Sequence, residues 1–199
     1  MLIKKWGVYP FGKNHPRRFP LKDRIKKNLQ RYTFYLGGDQ PPVAMVERVR
    51  SGFGAFIGLM LVLTTAKYLG ELGGIDEWLM ASLGASALLV FVLPGSPMAQ
   101  PWAVIAGNTL SALVGICIAH LVGEPLIAMP LAASLSILGM FFLRCLHPPA
   151  AAVSLIVVLG HVLHFRYAFF PVMVDSILLV LAGAAYSNLT GKRYPNRPS

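Results

Sequence analysis

The chain has 199 residues, 55% of them hydrophobic and 13% charged, with a formal net charge of +10. That length holds about one domain, and an apolar share above the roughly 45–50% of soluble domains argues against a free-standing soluble enzyme. Twelve of the eighteen Lys and Arg fall within residues 1–50; the rest has no basic stripe to track phosphates, which argues against a nucleic-acid partner.

Residues 1–50 therefore read as a basic cytoplasmic arm. Within it Leu21, Ile25, Leu29, Tyr32 and Leu36 follow helical spacing, with Lys22, Arg24, Lys26, Lys27 and Arg31 on the other faces. This is the pattern of an amphipathic helix over 21–36 lying on anionic lipid, where each basic residue is worth about 1 kcal/mol. A solvated basic tail is the alternative. No apolar h-region opens the chain, so the first span is expected to serve as the targeting signal.

From Ser51 onward, apolar runs occupy 52–69, 75–93, 102–122, 126–143, 148–164 and 169–187. A spanning helix takes about 17–25 residues, so the expectation is an all-α polytopic transmembrane bundle of about six spans over 51–188, followed by a basic tail over 189–199. Placing both termini in the cytoplasm puts Glu71, Asp76, Glu77 and Glu124 in outer loops and Lys192, Arg193 and Arg197 inside, as the positive-inside rule asks. Ala103, Gly107, Ser111, Gly115 and Ala119 recur every four residues along the third run, a face that lets helix backbones approach closely, within one chain or between copies in a homo-oligomer. Cys117 and Cys145 form no CxxC pair, so neither a disulfide framework nor a zinc site is signalled.

Two connections on the inner side carry the most information. The first is 94–101, with Pro97 and Pro101; the second is 144–151, with Pro148 and Pro149. A shift of 52 residues lays Leu79, Ala81, Ser82, Leu83, Pro97 and Ala99 over Leu131, Ala133, Ser134, Leu135, Pro149 and Ala151. That suggests a parallel internal repeat of helix, proline elbow, helix. Proline favours the first turn of a helix, so each elbow is expected to start a helix with free N–H groups and a positive dipole end, a setting for an anion.

Arg144 is the one basic residue near the elbows, and its planar fork suits a small oxyanion; a positive-inside anchor is the alternative. His147 can bind substrate, relay a proton, or serve structurally with its ring bonded to a nearby carbonyl. Ser96 and Gln100 are neutral donors for an anion's shell, and Asn108 lies nearly two turns into the third run. Each of these can instead bond only to backbone.

The segment Leu146-His147-Pro148-Pro149-Ala150-Ala151-Ala152, with Ser96-Pro97-Met98-Ala99-Gln100-Pro101 and the preceding Gly84-Ala85-Ser86-Ala87, resembles the HPP family of integral membrane proteins. The similarity covers roughly 51–187, and six apolar runs depart from that family's usual four-helix description. The resemblance implies a small transporter-like protein. Members in chloroplast envelopes and cyanobacteria are linked to nitrite transport, which implies nitrite or a similar oxyanion as substrate.

The leading expectation is thus a transporter or channel for a small inorganic anion, bound by Arg144, His147, Ser96, Gln100 and Asn108, with no cofactor. A second is cation handling by His120, Glu124, His161 and His164 at the outer side, with Asp175 below them. A third is a membrane enzyme or accessory subunit. No HExxH, GxSxG or paired carboxylates appear, so no catalytic residue is assigned.

Overall fold

The computed structural model describes residues 22, 43–70 and 82–195. The amphipathic helix expected over 21–36 lies, apart from Lys22, outside them, as do the outer-loop acids Glu71, Asp76 and Glu77. Residues 44–199 form one compact unit, and the account below concerns that unit.

Its elements are α1 (Met45–Gly70), α2 (Ser82–Val92), a 3-10 turn (Pro97–Ala99), α3 (Pro101–Leu121), α4 (Pro125–Phe142), α5 (Pro148–Leu159), and a π-type segment (Ala168–Met173) that leads into α6 (Val174–Leu189). Among the described residues all regular structure is helical. Three helices open on proline, at Pro101, Pro125 and Pro148. The first N–H of a helix has no intrahelical partner, so proline there forfeits nothing and supplies the right φ.

Three segments are long and apolar enough to cross a membrane: Pro101–Leu121, Pro125–Phe142 and Ala168–Leu189. α1 has the length, at 26 residues, with charges toward both ends. As described, α2 has 11 residues and α5 has 12. At 1.5 Å per residue α5 reaches only about 18 Å, against a hydrocarbon core of about 30 Å, whereas the residues preceding Ser82 of α2 lie outside those described. The fifth run, expected as helix over 148–164, stops early for a visible reason. His161 has φ 48°, its N–H bonds the Val158 carbonyl at 3.2 Å, and the Val162 N–H bonds the Val157 carbonyl at 3.0 Å. This is the left-handed cap that ends a helix, made here by a residue other than glycine.

Four apolar clusters lie in the bundle among the described residues, and two of them frame α3 and α6. One joins Val62 of α1, Leu83, Ala87, Val90 and Phe91 of α2, Val104 of α3 and Leu179 of α6. The other joins Ala112 and Ile116 of α3 to Val153 and Val157 of α5 and to Tyr167, Ala168 and Val172. α3 runs through both and is the central helix. α4 is peripheral: it buries Ala128, Ala132, Ser136 and Met140 and exposes Leu126, Ile127, Leu138, Phe141 and Phe142, a surface suited to lipid.

Lipid offers helices no hydrophobic reason to associate, so close packing of small residues must hold them. The α3 stripe does this within the chain. A Cβ on Gly107 would come within 2.9 Å of His147 Cβ and 3.0 Å of the Cys145 carbonyl oxygen, and one on Gly115 within 3.0 Å of Ser154 Cα. On α1, a Cβ at Gly58 would overlap the Phe91 ring.

Candidate functional site

The order helix, proline elbow, helix occurs twice, over α2–α3 and α4–α5, yet the two elbows differ in construction. In the first, the Ser96 Oγ accepts from the Met98 N–H at 3.3 Å and opens the 3-10 turn. The Gln100 amide nitrogen donates to the carbonyls of Pro94 at 3.0 Å and Ser96 at 2.9 Å. Both polar side chains are thus used on backbone. At the start of α3, Pro101 has no N–H and the Val104 N–H takes the Gln100 carbonyl at 3.0 Å. The N–H groups of Trp102 and Ala103 find no acceptor among the described residues.

The second elbow is shorter and closes on itself. Arg144 has φ 54°; its N–H bonds the Phe141 carbonyl at 3.2 Å, and the Cys145 N–H bonds the Met140 carbonyl at 2.9 Å. Arg144 therefore occupies the left-handed cap of α4, a place usually held by glycine, and its side chain is exposed. Pro148 and Pro149 carry no N–H, and that of Ala150 bonds the His147 carbonyl at 2.9 Å. The expectation of free N–H groups at both elbows is met at α3 and not at α5, where two prolines and one local bond use up the donors.

His147 is fully buried. Its Nδ1 lies 2.8 Å from the Met98 carbonyl oxygen and its Nε2 lies 2.8 Å from Ser86 Oγ. A carbonyl only accepts, so Nδ1 carries the hydrogen and donates it; Nε2 of the neutral ring then accepts from the Ser86 hydroxyl. Burial pushes the imidazole down from its usual 6.5 to about 4, so the neutral form is held. Of the roles open to it from sequence, the structure displays the carbonyl-bonded one. Burial also pushes the Cys145 thiol up, away from the thiolate a nucleophile needs.

Three bonds gather the elbows at one end of the bundle. His147 reaches the first elbow through Met98. The Trp102 indole N–H donates to the Leu143 carbonyl at 3.1 Å, which sets Arg144 beside the start of α3. The Tyr194 hydroxyl donates to the Ala99 carbonyl at 2.8 Å, and Tyr194 is buried, so the basic tail packs into the bundle. Nearby, Glu47 is paired with Arg50 at 2.6 Å and Lys192 at 3.3 Å; its carboxyl is held below the usual value chiefly by the bond from Arg50.

Asn108 does not join this group. It is buried on α3 in mid-bundle, with its amide nitrogen 3.0 Å from Ser176 Oγ of α6. The outer histidines do not converge either. The His120 Nε2–H donates to the Leu163 carbonyl at 2.8 Å, His161 caps α5, and among the described residues no three His, Cys, Asp or Glu side chains assemble into a metal site.

Sequence reasoning missed Ser86, Met98, Tyr194 and Ser176. Ser86 and Ser176 left a trace, as polar residues inside apolar runs. Met98 acts through its carbonyl, which no side chain announces.

Residues 40–195 match the family described as HPP, transmembrane region. A transmembrane protein of Dictyostelium discoideum is 34% identical over 177 residues, covering 84% of this chain and 57% of that protein. A second transmembrane protein of the same organism is 34% identical over 165 residues, covering 78% of this chain and 58% of the relative. The chain thus spans less than two thirds of the length of either. No solved structure matches it.

Proposed function

The chain belongs to the HPP transmembrane family, and from that premise we propose that it is a membrane transporter, and not an enzyme, for a small inorganic anion such as nitrite or a similar oxyanion. The observation that carries this reading is the pair of unaccepted N–H groups, Trp102 and Ala103, at the positive end of α3, with Arg144 alongside through the bond from Trp102 to Leu143. Backbone donors at a helix start favour an anion, and a guanidinium adds two parallel donors shaped for two oxygens.

In this reading the other elbow residues have supporting roles. Ser96 and Gln100 shape the first elbow, and His147 positions it by holding the Met98 carbonyl. Both termini and both elbows lie on the cytoplasmic side, and the arm over 1–50 meets anionic lipid.

The test is uptake of nitrite, nitrate, formate and chloride by proteoliposomes containing the full chain. We expect flux of at least one anion well above empty vesicles, about tenfold lower in Arg144→Ala and partly retained in Arg144→Lys, since a point charge replaces only part of what the fork does. Absence of flux for every anion would overturn the transport reading. Equal rates in wild type and Arg144→Ala would overturn the site.

A further inference from the structure

A polar layer crosses the bundle between two of its apolar clusters, those of Val104 with Leu179 and of Ala112 with Val172. On α3, Asn108 stands one turn from Val104 of the first cluster and one turn from Ala112 of the second, and Ser111 follows on the same face. Across from it, Asp175 stands three residues after Val172 of the second cluster and four before Leu179 of the first, next to Ser176. The bond from Asn108 to Ser176 fixes the two helices at this level. All four side chains are at most 2% exposed.

Three oxygens in this layer have no hydrogen-bond partner: Asn108 Oδ1, Ser111 Oγ and Asp175 Oδ2. Among the described residues no cation pairs with Asp175. Tyr167 lies within its electrostatic reach. Charged and titratable groups on the surrounding helices stand elsewhere: Glu47, Arg48, Arg50 and Lys67 toward the ends of α1, and Cys117 and His120 in the last turns of α3, while α2, α4 and α5 carry none. One turn before Asp175 the helical path is broken, with Phe170 at φ −137° and ψ 114° and Pro171 unable to donate.

A lone carboxylate in an apolar interior costs several kcal/mol, and each unpaired buried polar group about 1–3 kcal/mol. Each of these oxygens can accept, and the layer holds one carboxyl group with no cation beside it among the described residues. The missing partner is therefore a single positive charge that bonds to hard oxygen donors. Interrupted helices frame ion sites in many transporters, where irregular backbone at membrane depth is buried in protein or lines a cavity. We propose that Asp175, Asn108 and Ser111 form a cation site inside the bundle, occupied by a proton or a sodium ion that neutralises the Asp175 carboxylate. The site stands apart from the elbows and does not depend on the anion reading.

The experiment uses the full chain purified in detergent, with two arms. In the sodium arm, thermal unfolding is followed in sodium chloride and in choline chloride at equal ionic strength; a sodium occupant raises the midpoint by several degrees in wild type and leaves Asp175→Asn, its near-isosteric neutral variant, unmoved. In the proton arm, infrared difference spectra carry a carboxylic C=O band that is lost as the pH is raised and is absent in Asp175→Asn. Should that variant fail to fold, Ser111→Ala and Asn108→Ser keep the carboxylate and are expected to shift the sodium or proton midpoint by about threefold or more, or half a pH unit. Absence of both a sodium-specific stabilisation and a titrating band that these variants move would overturn the proposal.

Discussion

The two elbows start from similar sequence and end as different devices. The first, over 93–100, spends its polar side chains on its own backbone and leaves the N–H groups of Trp102 and Ala103 without an acceptor among the described residues. The second, over 143–147, is consumed by its own closure and reaches outward through the His147 ring and the Leu143 carbonyl. The number of prolines makes the difference. One proline at a helix start leaves the next two N–H groups free, whereas Pro148-Pro149 removes two donors and a local bond takes the third. The first elbow is an opening and the second a clamp that holds it in place.

The sharpest way to break this contrast is His147→Ala. It removes both ring bonds and leaves the Met98 carbonyl and Ser86 hydroxyl without their buried partner, at about 1–3 kcal/mol each. The thermal midpoint in detergent should fall by many degrees, with both elbows losing amide protection together. If only the second elbow loosened, the clamp would be disproved.

The same histidine predicts a pH dependence. Its folded value, about 4, is below the ordinary 6.5, so the unfolded chain takes the proton first. The stabilisation is complete above pH 6.5 and is lost as pH falls toward 4, by at most about 3 kcal/mol. A denaturation series over that window should show the slope in wild type and a flatter line in His147→Gln.

Gly107→Ala puts a methyl group against His147 Cβ and the Cys145 carbonyl and should cost about 1–3 kcal/mol through overpacking. Gly84 has open space at its Cβ position, so Gly84→Ala is the matched control, expected to be neutral or slightly stabilising by helix propensity. A smaller effect of opposite sign is expected at the α4 cap. Arg144→Gly relieves the left-handed backbone and should raise stability by about 0.5–1 kcal/mol, while anion uptake falls. That divergence of stability and flux separates the cap role of Arg144 from its charge.

How much of this was legible in the sequence depends on how local each cause is. Helix starts at Pro101 and Pro148 could be read to within a residue or so, because proline at a first turn is a local signal. The end of α5 could not. Val162 and Leu163 continue the apolar run, and a left-handed cap made by His161 lacks the glycine that normally betrays it. Arg144 was noticed for its charge and missed as a cap for the same reason. The 52-residue superposition aligns Pro97 with Pro149, yet Pro97 opens a 3-10 turn while Pro149 is the second residue of α5. A shared motif did not imply a shared backbone. His147 stands out in the sequence, but its partners are 49 and 61 residues away, and packing alone brings them together. Asn108 was grouped with the elbow residues although it lies nearly two turns into the third run, and those turns of α3 carry it to the mid-bundle layer.

Tyr194 gives the bundle an order of assembly. Its ring lies against the Val90 and Gly183 contact of α2 and α6, and its hydroxyl satisfies the Ala99 carbonyl 95 residues earlier. At roughly 5–20 residues per second, the two leave the ribosome about 5–20 s apart. For that interval the helices can already be threaded through the bilayer while the first elbow lacks the hydroxyl that completes it. Insertion and closure are separate events in time, and the first elbow is fastened by a residue made 95 positions after it.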